Sequence, residues 1–141
     1  MNDQYGHAVG DKVLQASGRR LVMGVGQTDY VARIGGDEFV VALDLSGDHM
    51  EGRRPENIAL SIATRLVDDI ARSFTIEAAP QGRSFQVRIG ASIGVSLASM
   101  HSPNPHKLIA AADQAMYQAK RTGKCSAQLA TSHSTALDLV V

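Results

Sequence analysis

The chain is short of cysteine, of excess charge of either sign and of long apolar runs, and each shortage closes off a class of protein. A single cysteine, Cys125, excludes an internal disulfide and fits a reducing compartment. Lysine plus arginine and aspartate plus glutamate both total 14, so no net field draws the chain to nucleic acid or to an anionic membrane. No apolar stretch approaches the ~20 residues that a membrane-spanning helix needs, and no signal peptide opens the sequence. Internal repeats and low-complexity segments are also missing. The expectation is a cytoplasmic chain without a nucleic-acid partner and without a membrane segment of its own, whose parent protein could still be membrane-anchored. At 141 residues it reads as one domain, and a chain of that size buries about 68–70% of its unfolded surface.

What is present is led by Gly35-Gly36-Asp37-Glu38-Phe39. Upstream, Asp29 to Ile34 has the residue types of a strand; downstream, Phe39 to Leu43 is continuously apolar, as a strand covered on both faces should be. The glycines allow the positive φ of a tight hairpin and leave room for a ligand against the backbone. A hairpin has no use for two adjacent acids before a buried strand. Such carboxylates repel each other, and a hard divalent cation, which takes oxygen ligands together with phosphate oxygens, offsets that repulsion. A solvated acidic turn is the plainer alternative.

Asp11 suits the N-cap of a helix from about Lys12 to Met23, with Leu14, Ser17, Gly18 and Leu21 on one face. Residues 44–54 are polar and read as a surface loop. Pro55 suits the start of a second helix, on which Ile58, Ile62, Ala63, Leu66, Val67 and Ile70 trace an apolar stripe. From Phe85 to Leu97 every odd position is apolar and every even one polar or glycine. Period two over that length predicts a single long strand, bent at Gly90. A last helix follows Pro105, with Leu108, Ala112, Ala115, Met116 and Ala119 inward and Met116 and Tyr117 assigned to the core. A short strand near Cys125 to Leu129 closes the sheet. The domain reads as residues 1–128, with 129–141 as a flexible tail. The order of elements predicts an α+β fold, an antiparallel-rich central sheet flanked by helices.

The glycine–acid segment resembles, letter for letter, the GGDEF signature of diguanylate cyclases, which join two GTP molecules into cyclic di-GMP. Three further segments match in order: Asn2 to His7 with Gly10-Asp11, Ala91 to Val95, and Ala112 to Lys120 with Gly123-Lys124. Four ordered motifs carry far more weight than one pentapeptide. The resemblance implies a nucleotide-cyclase or polymerase-palm-like fold, GTP as substrate, Mg2+ (or Mn2+) as cofactor, catalysis by a homodimer, and an upstream sensory or regulatory domain in the parent protein. It implies that Asp37 and Glu38 ligate the metal, with Asp37 helping to deprotonate the attacking 3′-hydroxyl, and that Gly35 and Gly36 admit the triphosphate. Asn2 and Asp11 would read guanine, and His7 would touch the substrate, although a cap role for Asp11 and a local loop role for His7 account for those residues equally well. Lys120 and Lys124 would hold the outer phosphates; a basic helix C-terminus explains them otherwise.

The sequence departs from the family in three places. Lys124 stands where most members carry arginine, which keeps the charge but loses the bidentate fork. The product-inhibition pattern Arg-x-x-Asp is reduced to Asp29, with Gly26 at the arginine position. The strand bearing Asp-x-Asp-x-Phe-Lys, expected before Asn2 in the middle of the sheet, is not present. Its first acid bridges the metals in the family. An alternative is therefore a non-catalytic GTP-binding or signal-transmitting domain, the isolated chain being inactive. Nothing resembles the domain that cleaves cyclic di-GMP.

Overall fold

The computed structural model describes residues 6–47, 52–78, 82–99 and 103–131. Gly6, at φ 81°, leads into helix α1, His7–Gly24. The helix begins more than a turn before the expected Lys12, because its buried stripe runs back through Val13 and Gly10 to Val9. Asp11 is consequently an exposed residue inside the helix and not its cap. Helix α2, Pro55–Ala71, starts at its proline as expected and buries Ile58, Ala59, Ala63, Leu66, Val67 and Ile70. Helix α3, Pro105–Thr122, is capped by the Asn104 side chain, which accepts from the backbone N–H groups of His106 at 2.9 Å and Lys107 at 3.3 Å. Its buried stripe is Ala111, Ala112, Ala115, Met116 and Ala119. Tyr117 is 60% exposed and does not belong to the core, since one step of ~100° along the helix carries it past the edge of that stripe.

Three strand pairs accompany the helices. Strands β1, Tyr30–Gly35, and β2, Glu38–Ala42, form the expected antiparallel hairpin, with Tyr30 opposite Ala42 and Gly35 opposite Glu38. On β2 only Phe39 and Val41 are buried; Val40 and Ala42 face an open cleft, so this strand is covered on one face and not on two. Strands β3, Phe74–Ala78, and β4, Arg83–Val87, form a second antiparallel ribbon. Strands β5, Ile93–Val95, and β6, Ala127–Leu129, pair in parallel.

The single long strand expected over Phe85 to Leu97 is two strands with different partners. Phe74 pairs with Val87, so any ladder beyond Val87 would need residues before Phe74, and those belong to the exit from α2. The chain leaves the ribbon there and resumes pairing at Ile93 with β6. The alternation survives the break because Val87, Ala91, Ile93, Val95 and Leu97 all face the same core. Strand β3 has its own short alternation, with Phe74 and Ile76 buried, and was not expected.

The β5–β6 pair lies between α3 and α2, and α1 packs on α2 and on β3. Gly94 is the contact that sets α3 on the sheet: a Cβ there would come within 1.8 Å of the Ala112 carbonyl oxygen. Arg20 ties α1 to the end of α2. Its guanidinium donates to the carbonyls of Asp69 at 3.0 Å, Arg72 at 2.6 Å and Ser73 at 2.9 Å, and stacks 3.5 Å from the Phe74 ring centre. Burial, and then the neighbouring charge of Arg72, lower its pKa from the ordinary value, against the pull of Asp69. The mixed helix and sheet arrangement with antiparallel ribbons is the α+β class expected. Asn2 and residues 132–141 lie outside the described residues, but the start expected for the tail is corrected: Leu129 pairs with Val95 in β6, and the buried Ala130 donates its N–H to the Val95 carbonyl at 2.7 Å.

Candidate functional site

The β1–β2 turn is where the acids are presented. Gly35 and Glu38 pair across it, Gly36 takes φ 47° at its first central position, and the Arg33 Nε donates to the Gly36 carbonyl at 2.8 Å. A positive φ there suits glycine, and the arginine braces the turn from below. Strand geometry then sends successive side chains to opposite faces, so Phe39 anchors in the core while Glu38 stays exposed beside Asp37.

Asp37 and Glu38 line a cavity of about 120 Å³ that is also lined by Lys120 from the last turn of α3. Leu14 and Ser17 of α1, Gly90 and Ser92 from the segment before β5, and Met116 of α3 complete much of it. Two acidic residues and one lysine therefore line a small, partly apolar cavity built from α1, α2, α3, the β1–β2 turn and the segment before β5, which are remote in sequence. Among the described residues no donor engages either carboxylate, so their lone pairs remain free for a cation. Two free hard oxygen donors fit a magnesium or manganese ion that keeps other positions for phosphate or water. Among the described residues no group of three histidine, cysteine or acidic side chains comes together.

The other expected site residues are placed differently. Gly35 and Gly36 are exposed at the turn itself. His7, the first residue of α1, and Asp11, in its second turn, are exposed and do not line the cavity. Lys124 is exposed, lies past the end of α3 at φ 55°, and is not part of the cavity wall. Asp29 is a loop staple: one carboxylate oxygen accepts from the Gly26 N–H at 2.7 Å and the other from the Asp44 N–H at 2.8 Å. Ser92 was not singled out from the sequence as a site residue. Period two assigned it to the solvated face of a strand, yet it is buried, because α3 covers that face through the close approach at Gly94. The signal for this was the small-residue stripe of α3, Ala112, Ala115 and Ala119, opposite a glycine.

Residues 1–126 match the family model described as "Diguanylate cyclase, GGDEF domain". The chain is 37% identical over 124 residues to the bifunctional diguanylate cyclase/cyclic di-GMP phosphodiesterase MucR of Pseudomonas aeruginosa, covering 88% of this chain and 16% of that protein. It is 32% identical over 129 residues to the diguanylate cyclase DosC of Escherichia coli, covering 92% of this chain and 25% of that one. The chain thus spans a quarter or less of the length of these relatives. Among solved structures, the GGDEF domain of TpbB (YfiN) from Pseudomonas aeruginosa superposes with a TM-score of 0.72 at 33% identity, over 92% of this chain and 73% of that one.

Proposed function

This chain belongs to the diguanylate cyclase GGDEF-domain family, and from that membership we propose that it holds one GTP with a divalent cation at the Asp37–Glu38–Lys120 cavity and that two such subunits condense their nucleotides into cyclic di-GMP. The observation that carries this reading is that the signature acids and Lys120, far apart in sequence, line the same cavity.

In this reading the 3′-oxygen of one GTP attacks the α-phosphorus of the other. The new O3′–P bond forms as the bond to the β-phosphate oxygen breaks and pyrophosphate leaves; a second, reciprocal transfer closes the ring. The proton of the 3′-hydroxyl passes toward the Asp37 carboxylate. When bound, the cation would neutralise phosphate charge and stabilise the attacking and leaving oxygens. Lys120 supplies a positive charge to the outer phosphates. Leu14 and Met116 give the cavity an apolar part, which would keep water from that side of a bound nucleotide. Asn2 and Asp11 are proposed to read the guanine edge, Asp11 being free to do so because α1 does not use it as a cap. His7 and Lys124 are proposed as outer substrate contacts. A homodimer, a cytoplasmic location and an upstream sensory domain belong to the same proposal. Among the described residues no helix is long and apolar enough to cross a membrane.

A second reading, a GTP-binding or signal-transmitting domain without turnover, is favoured by Lys124, which stands outside the cavity in a left-handed conformation. The two readings separate by calorimetry with GTP and magnesium, followed by chromatography of the reaction mixture. The cyclase reading expects magnesium-dependent GTP uptake, abolished in Asp37→Asn and Glu38→Gln, and cyclic di-GMP from a dimeric form that carries the Asp-x-Asp-x-Phe-Lys strand. Uptake without product from that dimer would establish the second reading. No uptake at all would overturn both.

A further inference from the structure

Two polar side chains are buried among the described residues, Ser17 and Ser92, and they differ in one respect. The Ser17 hydroxyl donates to the Val13 carbonyl at 2.8 Å within its own helix. The Ser92 hydroxyl, on a residue only 8% exposed, has no hydrogen-bond partner among the described residues. A buried hydroxyl without a partner is costly, so its retention calls for a reason. Ser92 lies in the wall of the Asp37–Glu38–Lys120 cavity. It shares the strand face of Gly94, which is pressed against the α3 backbone, and of Ser96, whose hydroxyl donates to the Leu108 carbonyl on α3 at 2.9 Å. That face therefore points toward the helix that carries Met116 and Lys120.

We propose that Ser92 is a phosphate-positioning residue, its hydroxyl donating to an oxygen of the polyphosphate held between the Asp37–Glu38 carboxylates and the Lys120 ammonium. The inference rests on the nucleotide reading of this cavity. A hydroxyl suits the position better than a second cation would, because the pocket is small and already carries a charge of each sign. It contributes a directed hydrogen bond to an anionic oxygen without altering the balance that lets a divalent ion sit on the acids. The wall beside it is apolar, with Ile89, Ala91 and Met116, so the bond would form in a poorly hydrated setting where it is strong.

The test uses the 141-residue chain and its Ser92→Ala variant, with thermal unfolding in the absence of nucleotide and calorimetry with magnesium plus GTP, tripolyphosphate or guanosine. The two roles predict opposite signs. Removing an unpartnered buried hydroxyl leaves the unfolding midpoint unchanged or raises it, whereas affinity for GTP and for tripolyphosphate falls about five- to twentyfold. Affinity for guanosine stays as in the wild type. A lower unfolding midpoint for Ser92→Ala would mean that the hydroxyl already has a structural partner, and the proposal fails. Equal GTP and tripolyphosphate affinities in the two proteins overturn the role of Ser92 alone. Should the wild-type chain take up neither, the nucleotide reading itself is overturned and this inference with it.

Discussion

Asp37 and Glu38 owe their availability to what surrounds them: a turn held by Gly36 and Arg33, and a strand whose next residue, Phe39, is anchored in the core. Other polar residues do the opposite and spend their groups on the fold. Arg20 makes three carbonyl contacts at the end of α2 and covers Phe74. Its bonds are largely exposed, so Arg20→Ala should cost about 1–2 kcal/mol, read as a lower urea midpoint with an unchanged slope. Asp29, which the resemblance alone assigns to an inhibitory pattern, has both its oxygens engaged by backbone N–H groups. The same resemblance puts Gly26 at the arginine position, which would leave a product without a guanidinium clamp. Equilibrium dialysis should therefore find no saturable cyclic di-GMP binding at this surface, and Asp29→Ala should lower stability by about 1 kcal/mol without changing product affinity. Micromolar binding that vanishes in Asp29→Ala would contradict this.

Among the elements, α3 has the most to do, since it covers β5, carries Met116 and Lys120 to the cavity and buries Ser92. It does so through small residues. A methyl group at position 94 would meet the Ala112 carbonyl oxygen at 1.8 Å and the Met116 nitrogen at 2.5 Å, both backbone atoms that cannot swing aside. Gly94→Ala should destabilise the chain by about 2–4 kcal/mol and loosen the Lys120 wall. Chemical denaturation measures the first effect and Lys120 side-chain NMR linewidths the second; a variant as stable as the wild type would show that α3 can shift without cost. The period-3.6 stripes of α2 and α3 were legible because each helix buries one face against a single core. The start of α1 was not. Asp11 has the chemistry of a cap, but the stripe through Val9, Gly10 and Val13 gains more from burial than a cap supplies, so the helix runs back to His7.

For the whole molecule, the open feature is the cleft of about 570 Å³ between β2 and β5, lined by Val40, Ala42, Val95, Leu97, Leu108 and Ile109 among others. Among the described residues β2 is bonded only to β1 and β5 only to β6, so the edges facing this cleft carry unpaired backbone groups. In this chain the amides of β2 and β5 that point away from β1 and β6 should exchange rapidly with solvent. In a version carrying the Asp-x-Asp-x-Phe-Lys strand, the same amides should be protected by at least about tenfold. Unchanged exchange would place that strand elsewhere. The family, the α+β class, the hairpin and its two acids could be read from residues alone, because they rest on local order: turn glycines, adjacent charges, helical stripes and motif spacing. The split of the period-two run at Val87, the exposure of Lys124 and Tyr117, and the burial of Ser92 were decided by which elements came to lie beside one another. Periodicity records that one side of a segment is apolar; whether its other side meets water or a helix depends on neighbours distant in the chain, and no local pattern contains them.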